Sequence, residues 1–85
     1  MFDVYPLAPA DSNKSFYGKA TVIVSDGLRL LRSYSTIVAY YDENGNFHRT
    51  WGGWSATTGR HVAAFGGPGK KAEWSKLPVE PVPSY

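Results

Sequence analysis

The sequence predicts an α+β fold: a three- to four-stranded antiparallel β-sheet, arranged as a meander and covered by one α-helix. Three observations carry this prediction. Two turn signals, Asp26-Gly27 and Asn44-Gly45, separate runs rich in β-branched and aromatic residues, which is the pattern of strands joined by hairpins. A single helix signal follows in WGGWSATTGRHVAAF, Trp51 to Phe65, which opens on a diglycine between two tryptophans and closes on Gly66-Gly67-Pro68. At 85 residues there is material for one domain with one small core, so a short sheet needs that helix as its cover.

Residues 1–15 carry Pro6 and Pro9 and then Asp11, Ser12 and Asn13, so they read as an extended arm whose Phe2, Tyr5 and Leu7 can pack on a sheet edge. The folded core is expected over 16–77. In FYGKATVIV, Phe16 to Val24, Tyr17, Lys19, Thr21 and Ile23 alternate with Gly18, Ala20, Val22 and Val24, giving the first strand. After the Asp26-Gly27 turn, Leu28 to Tyr41 contains neither Gly nor Pro, and Ser33-Tyr34-Ser35 is weak turn chemistry. One long strand, bent or bulged around Ser33 to Ser35, is therefore expected; the alternative, a hairpin at that point, adds a strand without changing the class. Asn44-Gly45 then returns Phe47 to Trp51 antiparallel to Ile37 to Tyr41.

In the helix, the Ser55 hydroxyl is the N-cap, and Thr58, His61, Val62 and Phe65 share one face. Two threonines and a glycine give it poor intrinsic propensity, so packing of Val62 and Phe65 on the sheet must hold it. KKAEWSKL is expected to form one turn that docks Trp74 and Leu77. The tail 78–85, PVEPVPSY, reads as extended and flexible.

Composition narrows the classes. A 42% hydrophobic and 15% aromatic content is globular, with three Trp, six Tyr and four Phe supplying large buried areas. The absence of cysteine removes disulfides and thiolate zinc sites and favours a cytoplasmic location. A net charge of +2 with 19% charged residues is too small an excess to imply nucleic acid on its own. The first residues lack the basic and apolar regions of a signal peptide, and no run approaches the ~18 apolar residues of a membrane helix, so no membrane partner is expected.

Catalytic and cofactor chemistry find little support in the residues. His48 and His61 are the only histidines, and a metal site would have to borrow Asp42 or Glu43 from a turn. His48 is better read as an exposed cross-strand residue, and His61 as a histidine at the edge of the core. A Ser55-His61 pair lacks the glycine-flanked elbow of a nucleophilic serine. The run Gly66 to Lys71 follows a helix and lacks the glycine spacing of a phosphate loop. No catalytic residue, no cofactor and no metal are assigned.

Binding surfaces are the stronger candidates. Arg49, Trp51, Trp54 and Arg60 combine the residue types most enriched at interface hot spots, and a fold this small cannot easily bury Trp51, Trp54 and Trp74 together. The alternative is nucleic-acid recognition, with Lys19, Arg29, Arg32, Arg49 and Arg60 holding phosphates beside Tyr17, Tyr34, Tyr40 and Trp51.

The strings KSFYGKA (14–20), LRSYSTIVAY (31–40), FHRTWGGWSATTGRHVAAF (47–65) and KAEWSKLPVE (71–80) resemble a group of small uncharacterised proteins encoded by bacteriophages and other mobile elements. The shared pattern is a Ser-Phe-Tyr-Gly-Lys-Ala start, a Ser-Tyr-x-Thr-x-Val-Ala strand and an Ala-Thr-Thr-x-Arg-His helix ending in Phe. The chain departs from it at Gly59, where a larger apolar residue is more usual, and in its proline-rich tail. The resemblance implies a non-enzymatic accessory protein in the bacterial cytoplasm. It would occlude a host protein complex, with CRISPR effectors and other defence systems as the partner class.

Overall fold

A computed structural model of the chain describes residues 2–7 and 20–85. Its five strands, β1 (Phe2–Pro6), β2 (Ala20–Ser25), β3 (Leu28–Ser33), β4 (Thr36–Tyr41) and β5 (Phe47–Arg49), form one sheet in sequential order. Every neighbouring pair is antiparallel. Two helices follow, α1 (Ala56–Phe65) and the single-turn α2 (Lys71–Trp74). The fold is α+β and mostly sheet.

The sheet has five strands against the expected three to four: the hairpin alternative at Ser33 to Ser35 accounts for the fourth and the N-terminal arm for the fifth. Part of the N-terminal arm pairs with β2 as β1, with Phe2 opposite Ser25 and Pro6 opposite Thr21. Leu28 to Tyr41 is also two strands, because the chain reverses at Tyr34-Ser35 and sets Ser33 opposite Thr36. Tyr34 takes φ +57°, the left-handed conformation usually left to Gly or Asn, which is why composition did not mark the turn. Asp26-Gly27 behaves as its sequence predicts, both residues having positive φ (49° and 83°), as a primed hairpin turn needs. The remainder of the arm and positions 16–19 of the expected first strand lie outside the described residues.

The register sorts the side chains into two faces. One row runs Tyr5, Val22, Leu31, Ala39, Arg49; the adjacent row runs Val4, Ile23, Leu30, Tyr40, His48. Alternation sends these rows to opposite faces. A bulge next to Leu31 leaves Val38 without its own partner on β3. The extra residue lets Val38 and Ala39 both enter the core, although adjacent strand residues normally diverge. That core comprises Ala20, Val22, Leu31, Val38, Ala39, Val62, Phe65 and Trp74, with Leu7, Val24, Tyr41, Phe47, Trp51, Trp54 and Ala64 packed around it.

Helix α1 starts where the sequence places it. Ser55 is extended, and its hydroxyl accepts from the Thr58 N–H at 3.1 Å. Gly66 ends the helix with φ 104°, and its N–H turns back to Ala63 and Val62.

Candidate binding surface

Arg49 and Trp74 tie the loop between β5 and α1 to α2. Because Arg49 shares the core row with Leu31 and Ala39, its guanidinium points inward, and it is 8% exposed. Nε donates to Trp51 O at 2.9 Å and Nη2 to Gly52 O at 2.9 Å. Nη1 donates to Trp74 O at 3.1 Å and to Leu77 O at 2.9 Å. The guanidinium lies 5.1 Å from the centroid of the Trp74 ring. Trp74, fully buried, donates its indole N–H to Gly53 O at 2.9 Å. Three successive carbonyls of the Trp51-Gly52-Gly53 loop are thus fixed by buried donors.

Arg49 is one of the four expected contact residues. It is held inside by carbonyl ligands and an aromatic face, a geometry that suits a planar, always charged group and commits four of its five N–H donors within the chain. The other three lie nearer the surface: Trp51 and Trp54 are half-buried and Arg60 is exposed. Gly53 and Gly59 make room for the two indoles. A Cβ at Gly53 would fall 2.4 Å from the Trp51 ring, and one at Gly59 would fall 2.6 Å from the Trp54 ring. Gly59 is therefore the seat of Trp54. Trp54 also packs against Trp74, with centroids 6.1 Å apart.

The residues considered for nucleic acid do not gather on one face. Arg29 and Arg32 are three apart on β3, an odd spacing that sends them to opposite sides of the sheet. Arg29 lies over Tyr41 and Phe65, 4.9 and 5.5 Å from their centroids, on the side that carries the core. Tyr34 is exposed at the β3–β4 turn with its ring 5.9 Å from that of His61. Arg49 is buried, and Lys19 and Tyr17 lie outside the described residues.

The two histidines have distinct settings, and their particular partners were not readable from the sequence. His61 is fully buried; its Nδ1 lies 2.8 Å from Ser33 Oγ, which also bonds Thr58 Oγ1 at 3.1 Å. Its serine is Ser33, brought in by the β3–β4 turn, and not Ser55. The burial of Ser33 and His61 makes this a polar pin between β3 and α1. His48 stacks on its cross-strand partner Tyr40 with centroids 4.5 Å apart. Its Nε2 meets Asp42 Oδ2 and its Nδ1 meets Glu80 Oε2, each at 2.8 Å. With a carboxylate at both nitrogens the ring donates from both, and the hydrogen bonds to Asp42 and then Glu80 hold its pKa above the ordinary value. Asp42 is drawn down to about 2, first by His48 and then by the backbone N–H of Asn46. The chain after α2 meets β5 here: Glu80 N–H donates to Arg49 O at 2.8 Å, and Val79 bridges Arg49 in parallel.

Among the described residues no cluster of His, Cys, Asp and Glu has metal-holding geometry, and no helix is long and apolar enough to cross a membrane. An open cleft of about 360 Å³ lies between the β2–β3 and β4–β5 turns, lined by Gly27, Arg29, Tyr41, Asp42, Glu43 and Gly45.

These features define a small α+β protein with a meandering five-stranded sheet and a loop of aromatic residues locked by a buried arginine. The chain belongs to a family of unknown function (DUF8033), whose model matches residues 5–78. Comparison with curated proteins and with solved structures gave no match.

Proposed function

We propose that this chain is a non-enzymatic binding protein that contacts a partner protein through Trp51, Trp54 and Arg60. The observation behind this reading is the locked loop: Arg49 and Trp74 hold the carbonyls of residues 51–53, so the half-exposed indoles sit on a fixed backbone. Rigid aromatic anchors lose little entropy on binding, and Arg60 adds an exposed guanidinium close by in sequence. In this reading α1 is the single cover of the sheet's core face, and the chain beyond residue 77 is a tail. The resemblance to small phage and mobile-element proteins suggests the partner class: a host complex in the bacterial cytoplasm, such as a CRISPR or other defence effector, inhibited by occlusion without turnover.

The test is affinity recovery from bacterial lysate with three proteins: wild type, Arg60→Glu, and Trp54→Ala with Arg60→Ala. Arg60 is exposed, so its reversal leaves the fold intact while changing the surface. A partner held by wild type and lost by Arg60→Glu, with circular dichroism unchanged, supports the reading. Equal recovery of every partner by all three removes this surface from consideration.

A further inference from the structure

The two edges of the sheet differ. At β5 the outward Arg49 carbonyl is taken by the Glu80 N–H, and Val79 lies alongside. At β1 no strand among the described residues pairs on the outer side. The ladder phase identifies which β1 groups face outward. Leu7 N–H donates to Ala20 O at 3.0 Å, so the alternation of an antiparallel ladder turns Tyr5 and Asp3 toward β2. The backbone groups of Phe2, Val4 and Pro6 then point away from the sheet. Pro6 has no N–H, and it falls where the ladder with β2 does not need one. Val4 and Tyr5 are 50% and 43% exposed.

We propose that β1 is a self-association edge, pairing antiparallel with β1 of a second copy about a two-fold axis at Val4 to form a closed dimer with a continuous sheet. Three features select this register. Only a centre at Val4 uses the whole strand: the two Val4 residues exchange N–H and C=O, and each Phe2 N–H reaches the Pro6 carbonyl of the other copy. It sets Val4 against Val4 and places Asp3 opposite Tyr5 of the second copy, so the two aspartates never face each other. The missing Pro6 N–H ends the pairing at that residue. Because the tail occupies part of the β5 edge, the association closes at two copies and does not extend as a fibre.

Sedimentation equilibrium of the full chain over a concentration series should show a monomer–dimer equilibrium. Val4→Lys and Val4→Glu each bring like charges together on the axis and should weaken the dimer at least about tenfold. Mixing the two variants should restore it as a heterodimer. Val4→Pro removes an N–H that β2 does not use, so it should abolish the dimer while leaving the thermal transition of the monomer in place. A chain that stays monomeric to about 1 mM, a weak-affinity limit, would overturn the proposal. So would a dimer that survives Val4→Lys and Val4→Pro, or a mixture of the charged variants that gains nothing over either alone.

Discussion

Arg49 donates to the carbonyl of Trp74 and lies against the face of the same residue's ring, so one cation is anchored to both the backbone and the side chain of a single partner. Trp74 in turn donates to Gly53 O, within the loop whose neighbouring carbonyls Arg49 holds. The two residues close a ring of interactions joining β5, the diglycine loop and α2. A hydrophobic side chain at either position would leave those carbonyls without these donors.

Replacing Arg49 by Lys tests this relationship. A lysine keeps the charge but has no planar fork, so it cannot serve carbonyls on both sides. With the site largely buried, the loss is expected at about 2–4 kcal/mol. For a domain of this size that lowers the melting temperature by roughly 10–30 °C. Thermal and urea unfolding followed by circular dichroism give the value. A variant within about 0.5 kcal/mol of wild type, the range of an ordinary surface change, would show that the carbonyl cluster is dispensable.

The burial of Arg49 was legible in part. Once the Asn-Gly signal set Phe47 to Trp51 against Ile37 to Tyr41, period-two alternation put Arg49 on the same face as Phe47. An apolar Phe47 would have marked that face as the core. The odd spacing of Arg29 and Arg32, which the nucleic-acid reading placed on one surface, likewise carried their separation to opposite faces. Hairpins at Asp26-Gly27 and at the Asn44-Gly45 loop, and the Ser55 cap, came from local chemistry and so were readable. The Tyr34 turn was legible only as the alternative to one long bent strand, because a tyrosine with positive φ carries no compositional mark. Preferring the single strand left Ser33 unidentified as the partner of His61. The link between His48 and Glu80 spans 32 residues and depends on where the tail runs, which no local pattern encodes.

Stability should depend on pH through His48 and Asp42. His48 has a folded pKa above its ordinary 6.5, so its contribution is complete below about pH 6.5 and is lost as pH rises through the raised value. Asp42 is held at about 2 against an ordinary 3.8; its contribution is complete above that value and is lost as pH falls toward 2. The two together predict greatest stability between about pH 4 and pH 6.5. His48→Gln should remove the decline on the alkaline side. Melting temperatures of both proteins from pH 3 to pH 9 check this, and a wild-type profile parallel to that of His48→Gln would refute it.

The glycines of the loop and helix are predicted to behave unequally. A Cβ at Gly52 meets only Val79, at 3.7 Å, so Gly52→Ala should be neutral within about 0.5 kcal/mol. At Gly59 the same atom runs into the Trp54 ring, which is packed on Trp74. Alanine gains about 1 kcal/mol of helix propensity there but must displace the indole, at about 1–3 kcal/mol for overpacking. Gly59→Ala should therefore be less stable than Gly52→Ala, with tryptophan emission shifted to the red as Trp54 moves toward water. Equal stability and an unchanged spectrum would mean that Trp54 does not depend on this seat.

Ser33→Ala isolates the polar pin between β3 and α1. The hydroxyl bridges His61 Nδ1 and Thr58 Oγ1, and all three residues are buried, so its removal takes a hydrogen bond from two polar groups that water does not readily reach. The expected cost is about 1–3 kcal/mol. Thr58→Val keeps the shape and removes only the hydroxyl at the end of the chain of bonds, so it should cost less than Ser33→Ala. Denaturant unfolding of the two variants and their double mutant gives the coupling. A sum of single effects equal to the double mutant would show that Ser33 and Thr58 act independently, whereas a smaller loss in the double mutant is the outcome the shared hydroxyl requires.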